Sequence, residues 1–236
     1  MWSKLRSVRQ DYLVAKLYFR YGAMNSGKST ALLQAAHNYE ERGQRVVLLK
    51  PRVDTKGHDR IVSRLGVERS VDVVIESTDN MVVIVAEQID RVQREFNEPL
   101  ACVLVDESQF LTPQQVDDLF VVAVQVNVPV LAYGIRTDFQ TVAFPGSRRL
   151  LEIAHSLEEL KTICRCGRKA LFNGRKVDGT FIFDGAQVAI DGQDVTYESL
   201  CGECYLRESG GRLASGYPSG SSPLISEPQG PDPDFS

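Results

Sequence analysis

Leu17-Tyr18-Phe19-Arg20-Tyr21 runs into Gly22-Ala23-Met24-Asn25-Ser26-Gly27-Lys28-Ser29, and that segment into Thr30-Ala31-Leu32-Leu33-Gln34-Ala35-Ala36. The first run is apolar and aromatic and reads as a strand. The last carries Ala31, Leu32, Ala35, Ala36 and Tyr39 at helical spacing, with Gly43 as a natural C-cap near Arg42. Between them, residues 22–29 match the G-x-x-x-x-G-K-[ST] pattern at every specified position. Glycines allow backbone N–H groups to curl around a phosphate, and the N-terminus of the following helix adds its positive end. The pattern assigns residues 22–29 to the phosphates of ATP, with Lys28 on the β- and γ-phosphates and the Ser29 hydroxyl on Mg2+. A tight glycine-rich turn without function is the competing reading, and the flanking strand and helix argue against it.

Outward from the loop the chain alternates. Arg45 to Lys50 is a second strand closed by Pro51, and Val71 to Ile75 is a third, followed by a helical pattern through Asp90 to Phe96. Ala101 to Val105 is almost wholly apolar, as a strand covered on both faces is. Thr112-Pro113-Gln114-Gln115 combines a capping box with proline at the first helical position, opening a helix to about Val126. Val128 to Tyr133 is another buried strand. The alternation predicts an α/β fold: a P-loop parallel sheet flanked by helices. Near Leu160 cysteines, glycines and short β-like runs take over. The expected divisions are a leader at 1–14, a P-loop domain at 15–160, a small cysteine-bearing subdomain at 161–207 and a Ser/Gly/Pro-rich tail at 208–236, expected to be disordered.

The 236 residues, 43% hydrophobic and 25% charged, are the composition of a soluble globular protein. A net charge of −4 makes a nucleic-acid polymer a poor default partner. No apolar run approaches the ~20 residues that span a bilayer, and the charged N-terminus lacks a signal-peptide core. No membrane is expected, and the cytoplasm is the default location. Five cysteines then point to thiols or metal rather than a disulfide framework.

Asp106-Glu107 follows the apolar strand, and an acid at the carboxyl end of a strand neighbouring the loop supplies the second magnesium contact in P-loop enzymes. Asp106 fits that role beside Ser29. Glu107 is either a general base that takes the proton of an attacking hydroxyl or a residue that positions water in an ATPase; the pair alone leaves both open. Two cysteine pairs, Cys164-Arg165-Cys166 and Cys201-Gly202-Glu203-Cys204, suit tetrahedral Zn2+ with four thiolates. A redox disulfide is the alternative. Cys102, inside the buried strand, reads as a core thiol.

Further residues resemble one family. Asp106-Glu107-Ser108-Gln109-Phe110 is similar to the D-E-x-Q-F signature of the thymidine kinases related to the human cytosolic enzyme and its bacterial counterparts. Tyr133-Gly134-Ile135-Arg136-Thr137-Asp138-Phe139, with Phe144 beyond, resembles that family's thymine-pocket segment. Asp54 and Ser63-Arg64-Leu65-Gly66 resemble its D-T-R and S-R-x-G stretches. The likeness covers residues 16–207. It implies transfer of the ATP γ-phosphate to the 5′-hydroxyl of thymidine or deoxyuridine, in nucleotide salvage, with Glu107 as base and Ser108 and Gln109 bordering the nucleotide site. It also implies a base pocket of Met24, Phe110, Ile135, Phe139, Phe144 and Tyr197. Structural zinc at Cys164, Cys166, Cys201 and Cys204, a lasso between the pairs, a homotetramer and feedback inhibition by dTTP are further implications.

The sequence departs from the family in three places. Lys56 stands in place of the D-T-R arginine and offers no bidentate fork. Ile135 replaces leucine at similar volume. The segment from Ile190 to Tyr197 is one residue longer. Asn173-Gly174 and Asp178-Gly179 both read as hairpin turns. The rival functions are a P-loop ATPase of another kind and a non-catalytic nucleotide sensor. Because the loop sits on the parallel sheet, ATP binding is expected to be independent of the cysteine-bearing segment.

Overall fold

The computed structural model describes residues 14–52, 60–62, 66–185 and 195–214. Asp54, Lys56, Ser63-Arg64-Leu65, most of the 190–197 segment, the leader up to Leu13 and the tail from Ser215 lie outside the described residues.

The chain builds β1 (Leu17–Tyr21), α1 (Lys28–Glu40), β2 (Arg45–Pro51), β3 (Arg60–Val62), β4 (Glu68–Ser70), β5 (Val73–Ile75), α2 (Met81–Phe96) and β6 (Leu100–Val105). A single 3-10 turn at Ser108–Phe110 leads to α3 (Pro113–Val121), a π-helical turn at Val122–Val126, β7 (Val130–Gly134), α4 (Pro145–Ile153) and β8 (Ser156–Glu159). The six-stranded main sheet runs β5-β2-β6-β7-β1-β8, every pairing parallel. Alternate residues of each strand feed opposite faces. Val47 and Leu49 of β2 join Val103 and Val105 of β6 beneath α2, α3 and α4. Val46, Leu48, Cys102 and Leu104 meet Leu32, Leu33 and Ala36 of α1 on the other face. Cys102 is therefore a core thiol, and burial pushes its pKa up to about 12.

The capping box forms as expected: the Thr112 hydroxyl accepts from the Gln115 N–H at 3.2 Å, and the Gln115 side chain accepts from the Thr112 N–H at 3.0 Å. The helix it starts is α-helical only to Val121 before widening into the π turn, and α1 ends at Glu40 rather than Arg42. Neither α4 nor β8 was expected. Ser156-Leu157-Glu158-Glu159 has no apolar run because it is an edge strand with one neighbour and exposed side chains. β6 is also not the neighbour of β1, since β7 is inserted between them.

Beyond the sheet, β9 (Thr162–Ile163) pairs with β10 (Lys169–Ala170), and β11 (Phe172–Val177) lies between β12 (Thr180–Ile182) and β13 (Val195–Leu200). Then α5 (Gly202–Glu208) packs Tyr205 with Leu200, Ala170, Phe172 and three of the cysteines in a small core. Asp178 and Gly179, at φ 49° and 79°, make the β11–β12 turn, where two left-handed residues match strand twist. Asn173 and Gly174 make no turn; both lie inside β11, and a Cβ on Gly174 would stand 2.6 Å from the Phe181 ring. Within residues 210–214, assigned to the tail on composition, Leu213 lies against the small core, exposed Arg212 pairs with Asp184 at 2.9 Å, and Ala214 N–H donates to Thr141 Oγ1 at 3.2 Å. No helix among the described residues is long and apolar enough to cross a membrane.

Candidate active site

The phosphate loop leaves the carboxyl end of β1 and enters α1 at Lys28. Gly27 holds φ 78°, a conformation that suits a residue without Cβ. Gly22 is needed for contact rather than dihedral, since a Cβ there would lie 2.5 Å from the Leu160 carbonyl oxygen. The Lys28 ammonium folds back over the loop, donating to the Ala23 carbonyl at 2.9 Å and the Ser26 hydroxyl at 3.4 Å. Charge and donors are thus concentrated where phosphate oxygens bind.

Asp106 and Glu107 emerge from β6 on the same edge of the sheet. Asp106 is 4% exposed; burial, and then the adjacent Glu107 charge, push its carboxyl up to about 7, while Lys50 and Lys28 pull the other way. Hard oxygen donors such as this carboxylate and the Ser29 hydroxyl suit Mg2+. Glu107 occupies the left-handed region at φ 50°, unusual for a side-chain-bearing residue and found where surroundings over-determine the backbone. Its carboxylate accepts a short hydrogen bond from Gln109 Nε2, and Gln109 Oε1 accepts from the Ile135 N–H at 3.2 Å. Gln109 therefore links the acid to the end of β7. The buried Ser108 hydroxyl has no hydrogen-bond partner among the described residues.

Five of the six expected pocket residues fall into two groups, and Met24 lies in the phosphate loop. Phe110 and Phe144 meet edge to face at 5.5 Å, and buried Ile135 is held next to them through Gln109 and through its carbonyl, which accepts from Ser147 at 2.6 Å. Phe139, buried, carries the Arg175 guanidinium 3.8 Å above its ring, and its carbonyl accepts from the Tyr205 hydroxyl at 2.8 Å. Arg175 also bonds the side chain of Tyr197. Sequence reasoning missed Arg175, because nothing local marks an arginine in a strand as buried.

The four expected cysteines converge, all four sulfurs lying within 4.8 Å of one another, Cys166 and Cys201 at 3.5 Å. Thiolates at Zn–S distances near 2.3 Å in a tetrahedron stand roughly 3.8 Å apart, so the grouping fits one zinc ion. The four cysteines are free thiols here, not disulfide-bonded. Burial opposes ionisation of Cys164, but backbone N–H groups of Cys166 and Cys201 outweigh it and bring that thiol down to about 7. Burial and the neighbouring sulfurs push Cys204 up to about 12, the repulsion a bound cation removes.

The phosphate loop on the main sheet is in direct contact with the cysteine-bearing segment. Asn173 Oδ1 accepts from the Met24 N–H at 2.7 Å, and the Ser199 hydroxyl donates to the Met24 carbonyl. Asn25 Nδ2 reaches the Tyr197 carbonyl at 3.4 Å. These contacts join residues 149 and 175 positions apart and leave no local trace in the sequence.

Comparison with known proteins agrees with this geometry. The family profile described as thymidine kinase matches residues 15–205. A thymidine kinase of Ruegeria pomeroyi is 44% identical over 206 residues, covering 86% of this chain and 100% of the relative. One of Rhodopirellula baltica is 48% identical over 80% of this chain and 86% of its own length, and one of Idiomarina loihiensis 49% identical over 80% and 94%.

Proposed function

This chain belongs to the thymidine kinase family, an ATP-dependent kinase family, and from that premise we propose how its residues transfer the ATP γ-phosphate to the 5′-hydroxyl of thymidine. Lys28 and the N–H groups of residues 22–29 bind and orient the β- and γ-phosphates. Glu107, oriented by Gln109, takes the proton of the 5′-hydroxyl. The 5′ oxygen forms its bond to the γ-phosphorus as the bond to the β-bridging oxygen breaks, giving dTMP and ADP. Ser29 and Asp106 are the residues that hold Mg2+, which when bound spreads the phosphate charge. Met24, Phe110, Ile135, Phe139, Phe144 and Tyr197 enclose the base, and residues 161–207 form the zinc-anchored lasso over it.

The observation that carries this reading is the left-handed, Gln109-braced Glu107 at the sheet edge from which the phosphate loop also leaves. A cytoplasmic salvage enzyme, assembled as a homotetramer and inhibited by dTTP, is the setting we propose. Labelled phosphate transfer from ATP across thymidine, deoxyuridine and deoxycytidine tests it. Label on thymidine, with little ADP formed in its absence, is expected. ADP release independent of nucleoside would instead make the protein an ATPase.

A further inference from the structure

Asn173 and Ser199 are direct cross-strand partners in β11 and β13, and both are buried. Their side chains hold the two peptide groups that flank the Met24 Cα. Asn173 takes the Met24 N–H at 2.7 Å, and Ser199 gives its proton to the Met24 carbonyl. The other end of Asn173 donates to the Thr137 carbonyl at 2.9 Å, beyond the end of β7. The clamp therefore ties the loop to both the main sheet and the hairpin.

The next residue shows why a clamp is needed. Asn25 sits at φ 66°, a left-handed conformation without glycine, which costs of order 1 kcal/mol unless the surroundings hold it. Its amide reaches the Tyr197 carbonyl at 3.4 Å, and its own carbonyl accepts from Thr162 Oγ1 at 3.5 Å. Every one of these holding groups belongs to the segment bearing the four cysteines. Ser199 is two residues before Cys201, so the cysteine cluster fixes the strand that carries the clamp.

We propose that Asn173 and Ser199 are positioning residues for the phosphate loop, and that through them the cysteine-anchored hairpin sets the affinity for ATP. The inference rests on reading residues 22–29 as the ATP site. It goes beyond it by placing control of that site in another part of the fold. The clamp holds the loop in a phosphate-accepting shape before ATP arrives, so losing it raises the cost of binding ATP.

The test is calorimetric titration of a non-hydrolysable ATP analogue with magnesium into the full, zinc-loaded chain and its Ser199→Ala, Ser199→Thr, Asn173→Ala and double-alanine variants. Each alanine variant is expected to bind about threefold to tenfold more weakly, the usual cost of one buried hydrogen bond. Ser199→Thr, which keeps the hydroxyl, restores affinity. The double variant falls short of the product of the singles, because both side chains hold the same residue. Zinc content and melting temperature are measured alongside. Equal affinity in all variants overturns the clamp while leaving the kinase reading intact, and failure of the unmodified protein to bind the analogue overturns both. Weakening that tracks loss of zinc and is not restored by threonine means general destabilisation and also overturns the proposal. Should Asn173→Ala not fold, the Ser199 pair carries the test alone.

Discussion

Glu107 is the residue whose backbone and side chain are both held: φ 50° at the start of the 3-10 turn, and a carboxylate gripped by Gln109. Glu107→Gln keeps size and hydrogen-bonding capacity but removes the base. kcat is expected to fall by about 10²–10⁴ while thymidine and ATP bind within about twofold of the original. Calorimetry beside steady-state kinetics checks this, and affinity lost in step with rate would make Glu107 a structural or magnesium-binding residue. Lys28→Ala should leave less than a tenth of kcat, about 1.4 kcal/mol of barrier or more, since the transferring phosphoryl loses its nearest cation. Asp106 gives a pH signature. Its folded pKa of about 7 lies above its ordinary 3.8, so the folded protein holds a proton the unfolded chain releases. That contribution is fully present below the ordinary value and lost as pH rises towards 7. In magnesium-free buffer the melting temperature should drop from pH 5.5 to 8, and Asp106→Asn should flatten the slope. An equally steep slope in the variant would refute the assignment.

At the scale of the element, the hairpin and α5 behave as one unit around the four sulfurs. Leu200, Tyr205 and Ala170 form a core too small to stand alone, and three of the four cysteines are part of it. Binding energy of a structural ion at such a site is folding energy. Freshly purified protein should contain about one zinc per chain by elemental analysis, and Cys201→Ser should lose it and melt at least about 5 °C lower. Thymidine and ATP affinities should then both fall, because β11 and β13 hold Met24 as well as the lasso. Unchanged ATP affinity after zinc loss would return the loop to the independence its place on the parallel sheet suggests.

For the molecule as a whole, contacts among the described residues extend to Ala214. Leu213 on the small core, Arg212 on Asp184 and Ala214 on Thr141 join the end of the described chain to the hairpin and to the β7–α4 connection. Ending the chain after Ala214 should leave the melting temperature within about 1 °C. Ending it after Ser209 should lower it by several degrees, roughly 1 kcal/mol for one apolar side chain and two polar contacts. Equal melting of the two truncations would show these contacts to be idle.

Amino-acid order alone determined what depends on neighbours along the chain. The strand–loop–helix at Leu17 to Tyr39, the apolar runs of β2, β6 and β7, the capping box at Thr112 and the Asp178-Gly179 turn all follow from periodicity and dihedral preference, which act over a few residues. Asp106-Glu107 and the cysteine pairs were legible because their chemistry is unusual where they stand. Tertiary structure alone decided the rest. It inserted β7 between the strands that carry the loop and the acids, and it made Ser156–Glu159 an edge strand despite having no apolar run. It also turned Asn173-Gly174 from an apparent turn into strand, because Gly174 admits Phe181 at close range. Only the fold brings Asn173 and Ser199 to Met24, since a hydrogen bond between groups well over a hundred residues apart is specified by the summed packing of everything between them.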